Sequence, residues 1–276
     1  SRTERRLTVD DQPIRRLTDY WGTLRTVAFC AEDVALVKGA GRGRRRFLDF
    51  LLAQTVPTYL SVLQRYLRAM RARNALLKKL PVDEAALESF TIELVKLGEE
   101  LMAQRAALLP ELAPRIVAAH QRIAPKGESL AVAYAPNVKG DFAEHLRRHR
   151  EREYRLGSTA AGPHRDELTL ELNERPAADF ASEGQKRTVA IALKMAQAEH
   201  FSAVHGVPPV LLIDDVMGEL DATRRAGFIP LLDQCSQGRG QVFMTCTEEN
   251  WPRELAQSVS HWQVENGGIT RQPAVS

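Results

Sequence analysis

The stretch Val210-Leu211-Leu212-Ile213-Asp214-Asp215 narrows most sharply what this chain can fold into. Four branched apolar residues in a row, opened by Pro208-Pro209 and closed by two carboxylates, read as a strand buried on both faces, of the kind found in parallel α/β sheets covered by helices. At the carboxyl end of such a strand the backbone leaves the core, and ligands of open α/β sheets bind at that edge. Asp214 and Asp215 emerge there. Adjacent strand residues point to opposite faces, so the two carboxylates divide their tasks. One can hold Mg²⁺, a hard cation that prefers oxygen ligands, while the other faces an attacking water, which is a Walker B arrangement. The competing reading is that both acids cap the following helix through its unpaired N–H groups.

A second stretch bears on the choice. Ala181-Ser182-Glu183-Gly184-Gln185 leads into Thr188-Val189-Ala190-Ile191-Ala192-Leu193-Lys194-Met195-Ala196, a strong helical pattern. A small hydroxyl residue and a glycine at a helix start expose N–H donors and a positive dipole end to an anion. Alone, Ser-x-Gly-Gln is also an ordinary N-cap. Followed by the hydrophobic-Asp-Asp run and then by Glu219-Leu220-Asp221, it resembles the signature, Walker B and D-loop series of ABC-type ATPase heads.

More of the chain narrows that resemblance. Ala161-Gly162-Pro163-His164-Arg165-Asp166-Glu167-Leu168, Ser182-Glu183-Gly184-Gln185-Lys186-Arg187-Thr188 and Leu212-Ile213-Asp214-Asp215 through Asp221 are similar to motifs of the bacterial RecF family. So are Phe29-Cys30-Ala31-Glu32-Asp33, Lys38-Gly39, Arg44-Arg45-Arg46-Phe47-Leu48-Asp49 and Arg73-Asn74-Ala75-Leu76-Leu77-Lys78. One motif is absent. No Gly-x-x-x-x-Gly-Lys-Ser/Thr, the loop whose N–H groups and lysine cradle ATP phosphates, occurs in the sequence. Its nearest imitation, Gly39-Ala40-Gly41-Arg42-Gly43-Arg44, lacks the Lys-Ser/Thr pair and reads as a basic turn. The resemblance therefore implies an N-terminally truncated chain.

With 276 residues, 44% of them hydrophobic, the sequence can bury a substantial core in one or two domains. A net charge of +3 is only mildly basic, so a nucleic-acid argument must rest on where the charges lie. Cys30, Cys235 and Cys246 show no metal spacing and fit a reducing cytoplasm. No run of eighteen apolar residues argues for a membrane span.

Between residues 38 and 80 lie eleven Lys and Arg residues against Asp49 alone. After Pro57, Leu60, Leu63, Leu67, Met70 and Leu77 recur at helical spacing, and Arg65, Arg68 and Arg71 form a sloping basic row. A following helix over residues 82–109 carries Leu87, Phe90, Leu94, Leu97, Leu101 and Leu108 on one stripe and acids elsewhere. Joined at Leu80-Pro81-Val82, the two make an antiparallel hairpin with opposite charges flanking its seam. The basic row is then either a solvated, acid-paired face or a phosphate contact surface, to which Arg42, Arg44 and Arg45 would add. Pro110 and Pro114 separate a short helix ending near Ile123. Residues 130–134 alternate as a strand, 142–156 read as a helix closed by Gly157, and 168–172 as a strand entered through the Gly162 to Asp166 turn. In that turn, His164 and Arg165 belong either to a structural hydrogen-bond cluster or beside a phosphate. A helix past Asp221, a Gly238/Gly240 turn and a strand over 241–245 follow, and Trp251 and Trp262 are expected to pack the closing elements.

The expected architecture is an α/β, ABC/SMC-like ATPase head of the P-loop NTPase type with an inserted α-helical lobe. Residues 1–37 would be the remnant of the first ATPase lobe, 38–155 the helical lobe and 156–276 the ATPase core. The RecF resemblance implies a slow, cytoplasmic ATPase of DNA repair and replication that dimerises on ATP and recognises gapped DNA at single-strand/double-strand junctions. It also implies work with RecR-type and RecA-type recombination proteins. Carried over residue by residue, Asp214 positions Mg²⁺ and Asp215 polarises the water. Ser182, Glu183, Gly184 and Gln185 engage the γ-phosphate held by the opposite subunit, and Asp221 lines the dimer seam. Thr245 stands where many such heads place a switch histidine, and a hydroxyl there can contact the γ-phosphate. The chain alone, without a phosphate loop, is expected to be inactive. Two other classes stay open, a non-enzymatic DNA-binding or scaffolding fragment and another SMC-like head. The short hairpin argues against heads bearing a long coiled coil.

Overall fold

The computed structural model describes residues 6–14, 22–237, 240–247 and 259–272. Two short strands, β1 (Thr8–Val9) and β2 (Gln12–Pro13), pair as a hairpin. The central sheet is parallel, in the order β3–β7–β8, built from β3 (Thr26–Phe29), β7 (Val210–Asp214) and β8 (Val242–Thr245). Antiparallel strands β4 (Leu130–Ala135), β5 (Glu167–Leu172) and β6 (Arg175–Pro176) make a second sheet, and β9 (Trp262–Glu265) pairs with β10 (Gly268–Arg271) in a hairpin. Around them lie α1 (Ala35–Lys38), α2 (Gly41–Thr55), α3 (Tyr59–Leu77), α4 (Glu84–Ile123), α5 (Phe142–Arg148), α6 (Arg150–Leu156), α7 (Ala177–Phe180), α8 (Glu183–His205) and α9 (Ala222–Gln237). Among the described residues, no helix is long and apolar enough to cross a membrane.

A contiguous core runs from Val27 and Phe29 on β3, through Leu48, Leu97, Leu112 and Leu193, to Phe228 on α9. It joins helical lobe and sheets, and β4 of the helical stretch pairs along its whole length with β5. The strand expected to be buried on both faces buries one. Leu211 and Ile213 are enclosed beneath α8 and α9, whereas Leu212 is 40% exposed, and its neighbours in register, Ala28 and Phe243, share that bare face.

The helical hairpin of α3 and α4 forms as its leucine stripes require, with Leu77, Leu87, Leu94, Leu97 and Leu101 all buried. Three more features depart from the sequence reading. Residues 41–44 are the first turn of α2 and not a basic turn. Arg44 overrides the poor helix propensity of Gly41 and Gly43, because its Nη1 donates to the carbonyls of Leu36, Val37 and Gly39 while Nε and Nη2 grip Glu167 at 2.6 and 3.0 Å. The second departure is α4, which runs unbroken through Pro110 and Pro114. Both prolines sit on the exposed face, in line with exposed Ala106 and Ala118, so the carbonyls left without a helical donor meet water. Buried Leu108, Leu109, Leu112 and Ile116 hold the opposite face on the core. The helix expected over 142–156 is two helices, broken at His149, and Gly157 closes the second with φ 59°.

One buried ion fastens α4 to α2, α3 and the turn that enters β5. Arg105 is 2% exposed, and its guanidinium donates to Asp49 on α2 at 2.7 Å, to Asp166 at 2.9 Å, to the Pro163 carbonyl at 2.7 Å and to the Tyr59 hydroxyl at 3.2 Å. Asp166 also accepts from Tyr134 on β4 and from the Asn137 N–H at 2.8 Å. Removing one member of such a buried cluster strands the others without a partner. Replacing Arg105 by Met should cost about 3–5 kcal/mol, seen as a lower urea midpoint at unchanged slope. A loss under about 1 kcal/mol would mean that the cluster contributes nothing beyond an apolar side chain of the same size.

Candidate functional site

Asp214 is the last residue of β7 and stands exposed at the carboxyl edge of the parallel sheet, as expected for a ligand-facing position. Its register partner on β8 is Thr245, whose hydroxyl donates to Asp214 Oδ1 at 2.6 Å. The same hydroxyl accepts from the Asp215 N–H at 3.2 Å, and that N–H also reaches the Thr245 carbonyl at 3.1 Å. Thr245 is thus spent on the Asp214 carboxylate, so its connection to a phosphate would run through Asp214. Asp215 leaves the strand in the left-handed region, φ 52°, which Asp tolerates better than most side chains.

Ser182 caps α8 in a full capping box. The Gln185 N–H donates to Ser182 Oγ at 3.3 Å, and the Ser182 N–H donates to Gln185 Oε1 at 2.8 Å. Gln185 Nε2 turns inward to Glu128 Oε1 at 3.0 Å, so both ends of this amide are held inside the chain. Glu183 binds Lys38 and lies 3.8 Å from Lys186, and Lys38 foremost draws its carboxyl below the usual range. With these side chains engaged, the N–H groups of Glu183 and Gly184 are the donors that face outward for an anion.

Asp221 caps α9, accepting from the Arg224 N–H at 2.9 Å. Arg224 was not singled out in the sequence, yet its guanidinium binds Asp221 and donates from Nε to Thr188 Oγ1 at 2.7 Å. Asp221 and the first turns of α8 are therefore tied together. Spacing alone could have flagged Arg224, three residues past a helix-capping Asp. Glu128, the other missed residue, lies in a turn and carries no sequence signal.

The basic residues divide. Arg42, Arg65, Arg68 and Arg71 are exposed. Arg65 pairs across the hairpin with Glu93 at 3.1 Å, the acid-paired arrangement. Arg44 and Arg45 are removed from the DNA-facing set. Arg44 is consumed by Glu167 and the α1 carbonyls, and Arg45 Nη1 donates to the Asp166 carbonyl at 2.7 Å. In the Gly162 to Asp166 turn, His164 Nδ1 lies 2.6 Å from the Tyr66 hydroxyl, and burial pushes His164 down to about 4. That half of the turn is structural, while Arg165 is exposed. Trp262 does not pack, being 54% exposed on the β9–β10 hairpin, and Trp251 lies outside the described residues.

No family model matches the chain. It is 38% identical over 261 residues to the DNA replication and repair protein RecF of Cyanothece sp., a match covering 90% of this chain and 68% of that relative. The protein of the same name from Lactococcus lactis subsp. cremoris is 36% identical over 259 residues, covering 93% of this chain and 71% of the relative. Among solved structures, the recombination mediator protein RecF-ATP of the RecFOR pathway matches with a TM-score of 0.83 at 25% identity, over 97% of this chain and 73% of that one. An Smc head domain from Pyrococcus furiosus shares the fold at a TM-score of 0.50 and 14% identity, over 90% of this chain and 61% of that one. The architecture is that of ABC/SMC-like ATPase heads, the α/β class that the motifs indicate.

The Thr245 contact can be tested directly. Thr245→Val in the intact protein removes the hydroxyl at nearly constant volume and should weaken Mg²⁺-dependent nucleotide binding roughly tenfold, while Mg²⁺-free binding stays unchanged. Equal loss with and without Mg²⁺ would show that the hydroxyl serves the nucleotide and not Asp214.

Proposed function

Because the chain belongs to the RecF family of DNA replication and repair proteins, we propose that it supplies the Mg²⁺-side and opposite-subunit halves of an ATP site that closes between two copies of the protein on DNA. The supporting observation is a pair of polar linkages past the end of β7. Asp214 and Asp215 stand exposed beside Thr245, and Asp221 a few residues later is bound through Arg224 to the signature helix.

Asp214 offers a hard oxygen, oriented by Thr245, and suits Mg²⁺, which takes most of its other ligands from water and phosphate. Mg²⁺, when bound, neutralises phosphate charge and orients the phosphoryl group for in-line attack. Asp215 faces the attacking water, and the outward N–H groups of Glu183 and Gly184 meet the γ-phosphate presented by the other copy. The bare face of Ala28, Leu212 and Phe243 is open to a further covering element, since parallel sheets are ordinarily covered on both sides. Residues 1–37, 38–155 and 156–276 act as lobe remnant, helical lobe and ATPase core.

The DNA-bound dimer marks gapped sites and, with RecR-type and RecA-type partners, assists recombinase loading in the cytoplasm. Hydrolysis is slow and serves as a switch. Asp215→Asn in the intact protein should slow hydrolysis by about 10²-fold or more while ATP binding persists and dimers accumulate, because Asn keeps the left-handed backbone and the Asp214 site. Sedimentation and phosphate release measure both, and unchanged turnover would remove Asp215 from this role.

The exposed arginines of α3 carry the DNA contact. Phosphate neutralisation releases counterions, so affinity should fall with salt at a log–log slope of roughly −0.9 per contact. Arg65, Arg68 and Arg71 changed together to Ala should weaken binding to unrelated sequences alike and flatten the slope by about one unit per lost contact. Titration of gapped and duplex DNA at several salt concentrations decides. An unchanged slope would leave the row as a solvated face paired to α4 acids such as Glu93.

A further inference from the structure

Two surfaces must meet an opposing copy if the proposed ATP site forms, the signature turn at the start of α8 and the D-loop before α9. They come from segments more than thirty residues apart in sequence, and in the fold one side chain spans them. Arg224 lies in the first turn of α9, with its side chain only 18% exposed. Its Nε donates to Thr188 Oγ1 at 2.7 Å, and Nη1 binds the Asp221 carboxylate. Thr188 is itself fully buried, and its hydroxyl donates to the Gly184 carbonyl at 2.8 Å. The result is an unbroken polar chain from Asp221 through Arg224 and Thr188 to Gly184. Arg224 Nη2, not used in these bonds, would lie 3.9 Å from a Cβ placed on Gly184, so the guanidinium sits against the signature turn itself.

This arrangement has a cost that packing alone does not explain. A guanidinium largely withdrawn from water needs its charge answered, and here the answering carboxylate is the exposed acid of the D-loop. An apolar residue at 224 could fill the space between α8 and α9. It could not fix Asp221 and Gly184 at one distance, which two directed hydrogen bonds from a rigid planar group achieve. Two surfaces held in register lose little freedom when a partner engages both, and that is where preorganisation adds affinity.

We infer that Arg224 is a positioning residue, a strut that holds the signature turn and the D-loop in fixed register so that a nucleotide-bearing second copy meets both at once. This rests on the ATP-dimer reading above. The strut acts on the face offered to the other copy and not on the nucleotide held by its own subunit.

The test uses the intact protein and three substitutions. Arg224→Gln removes the charge, and Thr188→Val keeps volume but removes the hydroxyl that anchors the strut. Thr188→Ser keeps the hydroxyl but deletes a buried methyl group, so it should melt at a lower temperature than wild type. Monomer affinity for ATP and ADP, ATP-dependent dimerisation by sedimentation, and melting temperature are measured for each. Arg224→Gln and Thr188→Val should bind both nucleotides as wild type does, yet dimerise in ATP roughly tenfold or more weakly. Thr188→Ser should dimerise as wild type despite its lower melting temperature. Dimerisation that follows melting temperature across the three variants would make the contact merely structural and overturn the strut, as would unimpaired dimers of Arg224→Gln. A wild-type protein that stays monomeric in ATP would overturn the nucleotide reading and the strut with it.

Discussion

The Arg105 guanidinium is the buried charge that ties the helical stretch to the turn entering the antiparallel sheet. Taking that ion from water costs several kcal/mol, and only the convergence of Asp49, Asp166, the Pro163 carbonyl and Tyr59 offsets it. Those partners come from α2, α3 and the turn entering β5, so the charge can be satisfied only when helical lobe and antiparallel sheet are assembled together. The geometry then propagates. At 40 residues α4 is a rod of about 60 Å, clamped near its middle. Its C-terminal end brings buried His120 within 3.6 Å of Glu128, the residue that holds the signature Gln185, while its N-terminal half carries the arginine-bearing hairpin. The surface proposed for DNA and the turn proposed for phosphate are thereby set on opposite ends of one element.

Much of this was legible in the chain because the signals were local. Val210 to Asp215 carried its own strand, Ser182 and Gln185 their own capping box, and the leucines of α3 and α4 their own hairpin. What escaped was decided at long range. The helix start at Gly41 exists because Arg44 reaches Glu167, 123 positions away. The prolines in α4 are harmless only because they face water, which no local rule reveals. Arg44 and Arg45 looked like a nucleic-acid patch by composition and proved to be internal ties, since charge counts do not tell which guanidinium finds a buried partner. Leu212 looked buried because its sequence neighbours are apolar, but the face it shares with Ala28 and Phe243 is exposed.

The chemical reading follows the same division. At the start of α8 the Gln185 side chain is turned inward to Glu128 and Glu183 is paired with Lys38, so how the remaining groups are aimed depends on their neighbours. Thr245 aims Asp214, Arg224 aims Asp221 and the signature turn together, and the left-handed residue at 215 sets the water-facing carboxylate apart.

The central claim is that the start of α8 serves the nucleotide of another copy. Photo-crosslinking with an ATP derivative carrying the reactive group on its γ-phosphate tests this most directly. One would mix an intact copy that binds nucleotide with a tagged copy whose own phosphate loop is disabled, and map the label by mass spectrometry. The account predicts label on the tagged copy within residues 182–188, dependent on ATP-driven association. Label confined to the nucleotide-binding copy, or absent from 182–188 while dimers form, would contradict it.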